Sequence, residues 1–247
     1  STCAILPVHL FGNVCDLEDF ERLRQQYNVK LIYDAAHAFA TTYKGRAIGE
    51  FGDMTMFSLH ATKLFHSAEG GALVIQDAAV KALVEDLRNF GIRGEFEVAV
   101  DGVNGKMSEL HAALGLEVLP LLAAEVTQRR AVRERYLSQL QDIPGVTFPK
   151  LREGVNNNQQ YLPLQITTEA PIGSANDVLQ RLRQHNIFAR RYFNPLVSDY
   201  PHYAHIPSAN PDNLPNAQKI SQEVLCLPFY GSLETDQVER ICQVIRG

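Results

Sequence analysis

Hydrophobic and polar positions alternate with two different periods along the first half of the chain. Cys3 to Val8 is a mostly apolar run and predicts a strand. Asp16 then offers an N-cap, and Leu17, Phe20, Leu23 and Tyr27 recur at helical spacing behind it. The segment "VKLIYD" is a short β-branched run that ends in Asp34, and "MTMFS", residues 54 to 58, has strand character again. Between them "YKGRAIGEFGD" reads as a hairpin or loop, because its glycines punctuate it. "GGALVI" predicts a further strand, and Asp77 caps a helix with Val80, Leu83 and Leu87 on one face.

From Met107 to about Gln141 the pattern is almost wholly helical, with Pro120 expected to kink or split it by removing a backbone donor. "DIPGVTFP" punctuates the chain, and the character then changes. A strand is expected at Tyr161 to Ile166, a helix from about Ser174 to Asn186 and a strand at Ile187 to Phe193. A proline-rich loop, a short strand near Leu225 and a final helix with Val238, Ile241, Cys242 and Ile245 on one face complete the reading. The fold class is α/β, a mostly parallel sheet flanked by helices, with a smaller α+β C-terminal domain. The expected boundary leaves residues 1–141 in the large domain, ending in a long linking helix, and 142–247 in the small one. In such sheets ligands sit at the carboxyl ends of the strands.

Composition narrows the classes. The 247 residues are 45% hydrophobic and 21% charged, with a net charge of −5, as in a globular protein. No run of like charge suggests a nucleic-acid footprint or a polybasic membrane patch. The longest mostly apolar stretch, Leu114 to Val126, contains Glu117, Pro120 and Glu125 and is too short to span a bilayer. The four cysteines are far apart, which argues against a disulfide scaffold or zinc ribbon and makes a reducing cytoplasm the simplest setting. The chain opens directly on a core-like strand, as a fragment would.

Lys63 is the residue that pattern alone does not explain. It sits in the connection between two strands that both read as buried, downstream of Ser58 and of Asp34 at its strand end. A carboxylate, a hydroxyl and an amine in this order meet the needs of pyridoxal 5'-phosphate. That cofactor takes a Schiff-base lysine, a carboxylate that keeps its ring nitrogen protonated, and donors for its phosphate. A desolvated site disfavours ammonium and so prepares the amine for attack.

"DAAHA", "GDMTMFSLHATKLFHSAEGGALV" and "NGKMSELHAALGL" together resemble the DegT–DnrJ–StrS family of pyridoxal-phosphate sugar aminotransferases, which have the aspartate-aminotransferase fold. The resemblance covers essentially the whole chain and looks like the C-terminal two thirds of a member. It implies that Asp34 pairs with the pyridine nitrogen, that His37 lies against the ring near its phenolic oxygen and that Ser58 holds the phosphate. Lys63 would carry the covalent aldimine. Asn104 would reach the phosphate of a neighbouring subunit, which implies a homodimer with shared active sites. Tyr192, in "RRYFNPL", is a weaker substrate candidate. The family commonly has arginine where this chain has Lys106, a change that keeps charge and loses bidentate geometry.

The implied activity is ping-pong transamination from an amino acid, L-glutamate by resemblance, to a nucleotide-linked keto-deoxysugar, in deoxyamino-sugar and polysaccharide or O-antigen biosynthesis. The "HATK" form of the lysine motif resembles members that aminate C4 of dTDP-4-keto-6-deoxyhexoses. The segment missing relative to the family holds part of the phosphate loop, so this chain alone is expected to be inactive. Two alternatives stand beside this. One is a sugar dehydration run by relatives that replace the aldimine lysine with histidine, against which Lys63 argues. The other is a truncated chain that folds or binds without turnover.

Each residue also has an ordinary reading. Asp34 could cap a turn, Ser58 could be a plain strand serine, His37 could fill space beside the sheet, and Asn104 could cap the long helix. His60 and His66 flank the lysine, but no cysteine or carboxylate completes a metal set with them. His202 and His205 read as surface residues, and Gly70-Gly71 as a tight turn.

Overall fold

The computed structural model describes residues 2–247. It divides into two units, one of residues up to Ala123 together with Leu151–Gln160, the other of Ala124–Lys150 and Tyr161–Gly247.

In the first unit, β1 (Ala4–Ile5), β2 (Lys30–Asp34), β5 (Met54–Ser58) and β6 (Gly71–Ile75) form a sheet in that order. The β1–β2 and β2–β5 pairs are parallel and β5–β6 is antiparallel. Between β1 and β2 runs α1 (Leu17–Tyr27), started by Asp16, whose side chain accepts from the Asp19 amide. A parallel pair requires such a crossover connection. Alternation along β2 buries Leu31 and Tyr33 in a core with Leu17, Ala35, Ile48 and Phe57, so Ile32 and Asp34 occupy the opposite, half-buried face. In β5 the same alternation buries Thr55 and Phe57 and leaves Met54, Met56 and Ser58 half-buried. Asp34 stands in register with Met56.

A small second sheet joins β3 (Thr42–Tyr43) to β4 (Arg46–Ala47) and to β8 (Val155–Asn156), so the glycine-punctuated segment is a hairpin followed by a single helical turn. Asp77 caps α2 (Ala78–Arg88) by accepting from the Ala79 and Val80 amides. Ser108, not Asn104, caps α3 (Glu109–Val118). Pro120 lies in a 3-10 turn, Leu119–Leu121, and splits the helical stretch as its missing donor demands, before α4 (Leu122–Leu140) begins. Among the described residues the continuous run Glu109–Leu140 is 32 residues with mean hydropathy 1.4 over its most apolar window, enough by length and composition alone to cross a membrane. That corrects the expectation drawn from Leu114–Val126, because apolar residues continue on the N-terminal side through Leu110, Ala112 and Ala113.

The second unit has an antiparallel sheet of β10 (Val224–Cys226), β9 (Pro163–Ile166) and β7 (Val146–Thr147). Against it lie α5 (Ala175–Gln184), capped by Ser174, and α7 (Thr235–Arg246), which buries Val238, Ile241, Cys242 and Ile245 as its spacing requires. Two expectations fail here. Ile187 to Phe193 is not a strand: only Arg190 pairs with Cys226, and Phe188 and Phe193 are exposed, since the short β10 offers one bonding position on that edge. The proline-rich stretch contains a helix, α6 (Pro215–Glu223), because proline at a first helical position loses no intrahelical bond.

The division between units also differs from a cut after residue 141. Val132, Tyr136 and Leu140 of α4 are buried in the core of the second unit, where the Tyr136 hydroxyl donates to the Pro228 carbonyl at 3.0 Å. Residues 151–160 return to the first unit, because β8 completes the small sheet there.

Candidate active site

Asp34 ends β2 between two neighbours. Its N–H donates to the Pro7 carbonyl at 3.0 Å and its own carbonyl accepts from His9 at 2.9 Å. One carboxylate oxygen accepts from the Ala36 amide at 2.9 Å, turning the chain sharply as an aspartate does at a turn start. The ordinary reading as a turn cap is therefore correct for one oxygen, and it aims the side chain along the half-buried face at the carboxyl end of the parallel strands.

Lys63 lies in a closed loop between β5 and β6. Leu59 donates to Gly70, Ser67 to Leu59, and Lys63 to His60, all between 2.9 Å contacts of the backbone. A Cβ on Gly70 would stand 2.6 Å from Ser67 Oγ and 2.7 Å from Met107 Cε, so the turn requires glycine. His60 Nδ1 and Thr62 Oγ1 are 2.9 Å apart and stiffen the approach to the lysine. Beyond it Leu64 and Phe65 are buried, and Phe65 stacks on Phe39, which itself meets Phe57 edge-on. The apolar anchor fixes the loop; the lysine between exposed and buried segments is left half-buried.

Electrostatics bring the groups together. Burial pushes the Lys63 ammonium below its ordinary pKa, and the nearby Asp34 charge opposes this. Burial, with a smaller contribution from the Lys63 charge, lowers His37 to about 4. His37 accepts from the Phe11 amide at Nδ1, 3.2 Å, so its neutral ring carries hydrogen on Nε2. Amine, carboxylate and neutral imidazole thus share one neighbourhood. Ser58, at the end of β5, accepts from the His60 amide at 3.4 Å and so lies at the root of the lysine loop.

The other two candidates lie elsewhere. Asn104 stands in an exposed loop, bridged to Asn89, and its Oδ1 accepts from Lys106 Nζ at 3.0 Å; the Lys106 cation sits 3.8 Å above the Phe90 ring. Tyr192 belongs to the second unit, where its ring meets Tyr161 edge-on.

Sequence reasoning missed residues behind the site. His9 is fully buried, stacked on Tyr33 at 4.7 Å, accepts from Cys15 at Nδ1 and has no partner at Nε2; desolvation lowers it to about 4. Asn157 and Asn158 are buried beside the loop that carries His37. The signal for them was a run of amide residues ahead of the strand expected from Tyr161; no periodicity marks such positions.

The donor set fits pyridoxal 5'-phosphate: a nucleophilic amine with lowered pKa, a carboxylate coupled to it, an uncharged imidazole donor and a strand-end hydroxyl. Comparison with known proteins agrees in class. Residues 1–246 match the DegT/DnrJ/EryC1/StrS aminotransferase family. The chain is 36% identical over 249 residues to a dTDP-4-amino-4,6-dideoxy-D-glucose transaminase of Escherichia coli, covering 100% of this chain and 66% of that protein. It is similar to the crystal structure of DesI in the presence of its TDP-sugar product, with TM-score 0.91 and 32% identity over 99% of this chain and 62% of that one. The aminotransferase TlmJ of Streptoalloteichus hindustanus superposes with TM-score 0.89 at 27% identity, covering 99% and 65%.

Proposed function

The chain belongs to the DegT/DnrJ/EryC1/StrS aminotransferase family, and on that premise we propose that it serves pyridoxal-phosphate-dependent transfer of an amino group from L-glutamate to a nucleotide-linked keto-deoxysugar. The observation that carries this reading is the coupling of Lys63 to both Asp34 and His37 in one half-buried neighbourhood. A surface lysine would have neither the desolvation nor the carboxylate.

The chemistry divides among the residues. Bound here, the cofactor supplies an electron sink for a carbanion at the amino donor's α-carbon. Lys63 Nζ would anchor it and would hold or move a proton as general base and then acid, a role for which burial, by disfavouring its ammonium, prepares the amine. The Asp34 carboxylate would keep a proton on the pyridine nitrogen. His37 would offer Nε2–H to an oxygen without adding charge, and Ser58 would donate to phosphate. Asn104, exposed and with its carbonyl oxygen engaged by Lys106, would donate through its NH2 to a second subunit's phosphate in a homodimer. The relative from Escherichia coli supports a dTDP-linked 4-keto-6-deoxyhexose as acceptor, and a cytoplasmic site of action agrees with its use of a nucleotide sugar. The chain spans 66% of that relative's length, so the full reaction is assigned to the protein in which these residues act.

Incubation of the chain with pyridoxal 5'-phosphate, borohydride reduction and peptide mass spectrometry tests the assignment. Label concentrated on Lys63 and lost in Lys63→Ala supports it. Label spread over surface lysines, or none at Lys63, rejects it.

A further inference from the structure

Asn157, Asn158, Gln159 and Gln160 are consecutive and all buried. Burying an amide is costly unless its donors and acceptor are matched. Asn158, 1% exposed, is matched: its Nδ2 donates to the carbonyls of His37 at 2.9 Å and Phe39 at 2.8 Å. Its Oδ1 accepts from the Gln160 amide at 3.1 Å and its N–H reaches Thr41 Oγ1 at 3.3 Å. Asn157 donates from Nδ2 to the Gly12 carbonyl at 2.8 Å and accepts from the Gln159 amide at 2.7 Å.

Three segments therefore close on one point. A Cβ on Gly12, whose φ is +78, would lie 2.8 Å from Asn158 Oδ1 and 3.0 Å from both Asn157 Nδ2 and the His37 carbonyl oxygen. The same junction holds Phe11, Ala40 and Gln159 at φ of 57, 63 and 59, a region non-glycine residues seldom occupy. Such backbone persists only where its surroundings over-determine it.

The consequence falls on His37. Its ring takes its hydrogen bond from the Phe11 amide, and the next residue, Gly12, is the one Asn157 holds. Its main chain is held by Asn158, a partner 121 residues distant in sequence. The carbonyl of His37 and that of Gly12, the residue after the donor to its Nδ1, are thus gripped by two adjacent side chains. We propose that Asn158, acting with Asn157, is a positioning residue of the active site: it locks His37 in one orientation and one tautomer, presenting Nε2–H beside Lys63. The lock is a property of the chain as it stands; its use in catalysis rests on the proposed function.

The test follows the His37 ring by NMR in the full 247-residue chain, assigned by its absence from His37→Gln. Asn158→Leu keeps bulk, adds no charge and removes both donated bonds. With the ring freed to meet water, its proton affinity should rise tenfold or more, while His9 stays unchanged as an internal control. A Leu225→Ala variant, destabilised in the other unit, should leave the His37 titration where it was. Should Asn158→Leu fail to fold, nitrogen-coupled spectra of the unaltered chain still decide, because the lock requires a bare Nδ1 and a protonated Nε2 throughout. An unmoved His37 titration in the folded variant, or a mixture of tautomers in the parent, overturns the proposal. Borohydride trapping separates the two readings: a parent chain unlabelled at Lys63 removes the proposed function and leaves the lock standing on its spectra. A parent labelled at Lys63 whose Asn158→Leu variant labels tenfold less supports both, and equal labelling counts against the positioning role.

Discussion

Phe65 stacks on Phe39 with ring centroids 4.4 Å apart, and this contact ties the loop of Lys63 to the loop that follows Asp34. Phe39 in turn meets Phe57 of β5 edge-on, so the aromatic cluster anchors the Lys63 loop beside the sheet that carries Asp34. Phe65→Ala is expected to destabilise the chain by about 3 kcal/mol, as buried aromatic truncations do. Denaturant unfolding reads the loss, and the labelling of Lys63 should fall more than the remaining folded fraction accounts for. Phe65→Leu should recover most of the stability.

Asp34→Asn should make Lys63 more acidic. The Asp34 charge favours the ammonium and burial disfavours it, with burial the larger. Removing the charge leaves burial unopposed, so half-maximal acylation of Lys63 should move to lower pH. The pH dependence of site-specific labelling by mass spectrometry checks this, and a move to higher pH contradicts the assigned coupling.

Stability should fall in mild acid through His9 and His37. Both are lowered from 6.5 to about 4 by burial. Between those values the unfolded chain binds the extra protons, so the stabilisation is complete above the unfolded pKa and is lost as pH falls toward the folded one. From pH 7 to pH 5 each histidine should cost about 2 kcal/mol. Urea midpoints across this range measure the sum, and His9→Phe should flatten the slope.

Self-association is expected through the first unit's uncovered apolar side chains. Leu110 is 84% exposed and Leu116 70%, on a helix that covers neither in this unit. Large exposed apolar surface favours association. Light scattering should report mass rising with concentration, and Leu110→Glu with Leu116→Glu should suppress it; a monodisperse monomer in the parent chain would contradict the expectation.

In the second unit, Ile245 and Val238 are fully buried on α7. Ile245→Ala should cost about 3 kcal/mol by thermal or urea unfolding. An exposed position on the same helix, such as Glu239, should change stability by less than about 0.5 kcal/mol.

What the sequence determined by itself was local. Helix starts at Asp16, Asp77 and Ser174, the apolar face of α7, and the strands ending in Asp34 and Ser58 follow from capping chemistry and periodicity, which act over a few residues. The order of Asp34, Ser58 and Lys63 was legible for the same reason, since strand ends are where α/β sheets present side chains. Tertiary structure alone decided the rest. Whether Ile187 to Phe193 pairs depended on which edge of β10 was left, and α4 joined the second unit because its buried face matched that core. Asn157 and Asn158 met the segments around His37 only through the closed fold, by contacts between positions more than a hundred residues apart. Hydrogen-bond partners of buried amides are chosen by the closed fold, and no short-range pattern in the chain encodes them.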